Sequence, residues 1–162
     1  MKPRSPQLTL RFDSESSLSA PAERWRDGAD LKYLGAHLLL RLDTDRKTAV
    51  RDGATLHLPL PPAASPRQIQ DGVEAWLRQE AMRLIGASIE RQSQRLARSV
   101  PPWALSFSAR SDWVRGHADG SLRCNWRLIE QPAALIEQAV SQALAALPPA
   151  NATADFWAIQ LA

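Results

Sequence analysis

The stretch Leu122-Arg123-Cys124-Asn125-Trp126-Arg127-Leu128-Ile129, closely followed by Pro132 and then by Ala139-Val140-Ser141-Gln142-Ala143-Leu144-Ala145-Ala146-Leu147, decides how this chain is read. In its first half Leu122, Cys124, Trp126 and Leu128 alternate with Arg123, Asn125 and Arg127, the period of a strand with one buried face. Asp119-Gly120 just upstream is a turn signal, so a β-hairpin is expected. In its second half Leu135, Ile136, Ala139, Val140, Ala143, Leu144 and Leu147 recur at helical spacing. That helix is predicted to start around Pro132 and to stop at Pro148-Pro149, because proline cannot continue it.

Working outward, Ser65-Pro66-Arg67-Gln68 reads as a helix start, with a capping serine, proline at the first helical position and glutamine at the third. Ile69, Val73, Trp76, Leu77, Leu84, Ile85 and Ile89 follow on one face. The helix is expected to reach about Arg98, either unbroken or broken near Gly86, with Arg91, Arg95 and Arg98 sharing a face. Before it lie alternating segments at Leu8–Phe12, Leu38–Leu42 and Leu56–Leu60, with Asp52-Gly53 as a hairpin signal between the last two. Residues 13–30 lack periodicity and read as a loop. After the long helix Trp103, Leu105 and Phe107 alternate. The order is β-rich, long helix, hairpin, helix, an α+β arrangement, and the 162 residues suit one domain spanning 1–162.

Composition narrows the classes. No apolar run approaches the length of a membrane span, and the basic start MKPRSPQLTL lacks the apolar core of a signal peptide. One cysteine, Cys124, excludes an internal disulfide framework and fits a reducing cytoplasm. The net charge of +3 permits a polyanionic partner without demanding one. The abundance of Ala, Arg, Leu, Pro and Trp is what a GC-rich bacterial genome encodes, which accounts for much of the arginine.

The strand Leu122–Ile129 resembles the "LNWRLI" strand of the YgjP-like, SprT-related metallopeptidases, and as in that family a proline-started helix follows. In the family that helix carries "VVHELAHL", and a loop then supplies "NHSxxFW". Here Val140–Leu147 and Asn151-Ala152-Thr153-Ala154-Asp155-Phe156-Trp157 fall in the same register without a gap. Lys32-Tyr33-Leu34-Gly35 resembles the family's "YLG", Val73–Leu77 its "VxxWL" helix start, and Trp113 stands where the family has "RWGSC". The resemblance covers roughly residues 30–160. It implies a zincin-like (WLM-type) fold, with N-terminal antiparallel strands, a long helix, a hairpin and a C-terminal former active-site helix.

The resemblance also says where the chemistry would be. A zinc site of this type uses two histidines four residues apart on one helix face, a glutamate beside the first as general base, and a third ligand from beyond the helix. Carried over, the ligand positions are Gln142, Ala146 and Ala152, and the base position is Ala143. Alanine has no donor atom, and a glutamine amide is a poor zinc ligand beside imidazole. The expectation is therefore no catalytic residue, no metal site and no small-molecule cofactor, in a family that would use zinc. Ser111–Gly116 keeps the tryptophan of "RWGSC" but not its Gly-Ser-Cys.

Other residues have blander readings. His37 and His57 fall on polar sides of strands and read as solvated; His117 lies beside the Asp119-Gly120 turn; no ligand spacing joins the three. Cys124 falls in the apolar phase of its strand and reads as a small buried hydrophobe. Asp43, Asp45 and Asp52 lack calcium-loop spacing. Trp76, Trp126 and Trp157 are expected in the core and Trp103 on a strand face; Trp25 is either a partner-facing aromatic or tucked onto the core. The leading expectation is a catalytically inactive relative of the enzymes, with a binding or regulatory role toward a protein or nucleic-acid partner. The alternatives are a polyanion-binding module using the Arg91–Arg95–Arg98 face, and a hydrolase with a metal site relocated to His37, His57 or His117.

Overall fold

A computed structural model describes residues 25–108 and 112–149. The expected strand Leu8–Phe12, most of the loop 13–30, and the segment holding Ala152 and Trp157 lie outside the described residues. The elements run β1 (Asp30–Tyr33), β2 (Ala36–Leu42), β3 (Val50–Asp52), β4 (Thr55–Leu58), α1 (Pro66–Arg95), β5 (Trp103–Ser106), β6 (Val114–Gly116), β7 (Leu122–Asn125), a 3-10 helix (Trp126–Glu130) and α2 (Ala133–Ala146). They form an α+β arrangement of two small sheets, ordered β1-β2-β4-β3 and β5-β7-β6, with the two helices.

The long helix begins as its sequence dictates. The Ser65 hydroxyl accepts from Gln68 N, and the Gln68 side chain accepts from Ser65 N, so two donors of the first turn are satisfied reciprocally. Ile69, Val73, Trp76, Leu77, Ala81, Ile85 and Ile89 are buried on one face. Gly86 does not break the helix. Its bare Cα lets Trp103 approach, and a Cβ there would meet Trp103 Cζ2 at 3.1 Å. The first half of α1 packs on the four-stranded sheet, where the Tyr33 and Trp76 ring centroids lie 5.1 Å apart. The helix also packs on α2 and on the 3-10 helix.

Several expectations are corrected. The four-stranded sheet is mixed rather than antiparallel: β1–β2 and β3–β4 are antiparallel, but β2 and β4 run parallel. Asp52-Gly53 does turn a hairpin, between β4 and the short edge strand β3. All three residues of β3 are exposed, so it has no alternating signature to read. The alternation at Trp126 and Leu128 is not a strand. After Asn125 the chain tightens into the 3-10 helix, with the Asn125 carboxamide oxygen accepting from Arg127 N at 3.0 Å. That bond holds Asn125 in the buried layer instead of on the polar side. Phe107 lies beyond the end of β5 and is exposed.

The arginine face is also divided. The α1 helix ends at Arg95, and Ala97 turns the chain with φ +51°. Arg98 is therefore off the helix; it reaches back to α2 instead of extending the row. Trp25 is 4% exposed and belongs to the core, so it offers no aromatic to a partner.

Candidate functional site

The α2 helix carries the positions at which the resemblance places the site. Alanine-rich sequence favours the helix, and Pro132 at its N-cap sets its start. Ile136, Val140 and Leu144, four residues apart, are buried. The adjoining face, Ala139, Gln142, Ala143 and Ala146, looks into a cleft of about 680 Å³ whose opposite wall is β6 with Trp113 and His117. Gly116 lets the two walls meet at one end: a Cβ there would stand 2.8 Å from Leu147 Cδ2.

The sequence-derived positions Gln142, Ala143 and Ala146 are thus brought together on one wall of one cleft. Ala152 lies outside the described residues. The wall holds three methyl groups and one neutral amide. The opposite side contributes His117 and Asp112. The Asp112 carboxylate accepts from Nε of Arg115 at 3.1 Å and also from its Nη2, so it is already neutralised. Among the described residues no three of His, Cys, Asp and Glu come together in a way that could hold a metal ion. The residues present do not fit a zinc cage, which needs three imidazole, thiolate or carboxylate donors.

Glu137 faces α1 rather than the cleft, accepting from Arg91 and, at 2.6 Å, from Gln92 Nε2. Burial opposes its ionisation, but these hydrogen bonds outweigh burial and hold the carboxyl below its ordinary range. Glu137 ties the two helices together and cannot reach the cleft as a base. Cys124 is buried, and desolvation pushes its thiol up to about 12, which removes the thiolate a nucleophile needs.

The histidines are not brought together. The register pairs His57 with Arg41, four positions along β2 from His37. That is about 13 Å along the strands. His117 belongs to the other sheet's hairpin. His37 is exposed as expected, but His57 is not simply solvated. Its side chain is 20% exposed, with Nδ1 3.5 Å from the Asp43 carboxylate. What the sequence reading missed is that His117 borders the cleft. A turn-flanking histidine has no periodicity to announce it; only the packing of β6 on α2 does.

Two helices, two small sheets and a cleft between the last helix and an edge strand are compatible with a metallopeptidase-like domain. The chain belongs to the YgjP-like metallopeptidase-domain family, which matches it over residues 9–159, a family of metal-dependent hydrolases. No curated protein and no solved structure matches it. Among the described residues no helix is long and apolar enough to cross a membrane.

Proposed function

We propose that this protein is a catalytically inactive YgjP-like domain, zincin-like in fold and single over 1–162, that keeps the family's cleft as a binding surface. One observation carries the reading. The helix face that lines the cleft presents Ala139, Gln142, Ala143 and Ala146, which supply no imidazole and no carboxylate. Hydrolysis by a metal-bound water needs both a ligand cage and a base. Replacing all of these groups leaves none for the others to compensate. The partner is a protein or nucleic acid met in the cytoplasm of a bacterial cell.

A polyanion-binding role for the arginine face has less support. Arg91 is committed to Glu137, and Arg98 to main-chain carbonyls of α2 and beyond. A hydrolase with a relocated site has less again, given the separation of His37, His57 and His117.

The test is metal content. The untagged full chain is loaded with zinc, dialysed and assayed by elemental mass spectrometry, beside the variant Gln142→His/Ala143→Glu/Ala146→His/Ala152→His. The native chain is expected to hold less than about a tenth of an equivalent and the variant close to one. One tightly held equivalent in the native chain would overturn the reading.

A further inference from the structure

On the outer face of the three-stranded sheet, Arg115 of β6 stands directly opposite Arg123 of β7. Like charges directly opposed across an antiparallel pair repel. Leu122 and Cys124, on either side of Arg123, are buried, so the guanidinium is held on the solvent face. Among the described residues Arg123 makes no ion pair and no side-chain hydrogen bond. Arg115 gives Nε and Nη2 to Asp112 and keeps Nη1. The two arginines, His117, Asp112, Ser106 and Ser108 line one small pocket of about 290 Å³. The Ser106 and Ser108 hydroxyls lie 3.2 Å apart at its edge.

We propose that this pocket binds a phosphate dianion, free or carried as a monoester. The donors converge from separate strands: two guanidiniums from β6 and β7, hydroxyls at and beyond the end of β5, and the imidazole of His117. A carboxylate is satisfied by one guanidinium fork. A phosphate offers three oxygens at once and suits a site that surrounds it. Asp112 offsets one of the two cations, which favours a single compact dianion over a long polyanion needing an uninterrupted basic track. A bound phosphate also relieves the Arg115–Arg123 repulsion, so the site gains from occupancy what the empty pair loses. Because Asp112, Arg115 and His117 border the helix–strand cleft as well, a phosphorylated side chain could enter here with its peptide running into that cleft. The phosphate site itself stands whether or not the cleft has lost catalysis.

The test is a titration of the isotopically labelled full chain, followed by amide and arginine side-chain NMR. The probes are inorganic phosphate, the peptide Ala-phosphoserine-Ala, its unphosphorylated form and a single-stranded oligonucleotide. Saturable shifts at Arg115, His117 and Arg123 are expected with the phosphorylated peptide and not with the unphosphorylated one. Arg123→Gln is expected to weaken binding at least tenfold, with Arg123→Lys losing less; Arg115→Gln checks the second cation. Equal affinity for inorganic phosphate would assign the site to a free phosphate, and tighter peptide binding to a phosphorylated chain. No saturation by either phosphate probe at about 10 mM, or saturation that survives Arg123→Gln, overturns the proposal. So does binding confined to single-stranded oligonucleotides with the Arg123 variant unaffected.

Discussion

Arg98 donates from Nη2 to the carbonyl oxygen of Leu147 at 3.1 Å, joining the chain just past α1 to the last turn of α2. The same guanidinium reaches the carbonyls of Leu144 and Pro148. A helix end leaves carbonyls unpaired, and a cation there both bonds them and complements the helix dipole. Arg98→Ala is expected to cost about 1–3 kcal/mol, because partly buried acceptors lose a charged donor. Arg98→Lys is expected to recover part of it. Urea denaturation of the three proteins checks this; no change in the alanine variant would remove Arg98 as the anchor of α2.

The turn between β1 and β2 sets a second constraint on the same helix. Leu34 and Gly35 have φ of +49° and +76°, the signature of a tight two-residue hairpin. The Gly35 N–H donates to Glu130 O at 3.0 Å, and a Cβ on Gly35 would stand 2.9 Å from Pro132 Cγ. Gly35→Ala combines backbone strain with a clash against the N-cap of α2, and about 1–3 kcal/mol of destabilisation is expected. Gly53→Ala has a similar φ of +57° but open space around it, and is expected to cost less. Equal thermal shifts for the two would mean that Pro132 simply moves aside.

Tyr33 and Glu80 predict a pH profile. The Tyr33 hydroxyl donates to Glu80 Oε2 at 2.5 Å. Hydrogen bonding from Arg83, and then from Tyr33, overcomes burial and holds the Glu80 carboxyl below its ordinary range. A depressed folded pKa means that the unfolded chain takes up the proton first as pH falls. This contribution is present above the unfolded carboxylate range, near pH 4.3, and is lost below it as pH falls through the folded value. The phenol adds an alkaline limb: burial raises Tyr33 to about 12. Between about pH 10, where an unfolded tyrosine ionises, and the folded value, stability falls as pH rises. Denaturation across pH should show Glu80→Gln flattening the acid limb and Tyr33→Phe the alkaline one.

Cys124 is expected to resist thiol reagents. It is fully buried, and desolvation pushes its thiol up to about 12. At pH 8 a disulfide reagent should label the folded chain only through unfolding, and label one thiol at once in denaturant. Fast stoichiometric labelling of the folded chain would show that the β7 face opens readily.

Ser65, Pro66 and Gln68 determine where α1 starts, because a capping box is local chemistry that needs no distant partner. The apolar spacings of α1 and α2 determine which faces are buried. The residues at 142, 143 and 146 determine by their own chemistry that these positions supply no imidazole, thiolate or carboxylate, wherever the helix sits. Strand pairing was not readable in the same way. That β4 lies parallel to β2 depends on β3, whose three exposed residues carry no period. Trp126, Leu128 and Ile129 hold both the i, i+2 step of a strand and the i, i+3 step of a 3-10 helix, and the Asn125 cap decides between them. Only the tertiary structure could turn Arg98 from a helix-face cation into a cap for α2. It alone brought His117 to the rim of the cleft and set Arg115 opposite Arg123. Those are relations between segments distant in the chain, fixed by how hydrophobic faces pack rather than by the local preference of any residue.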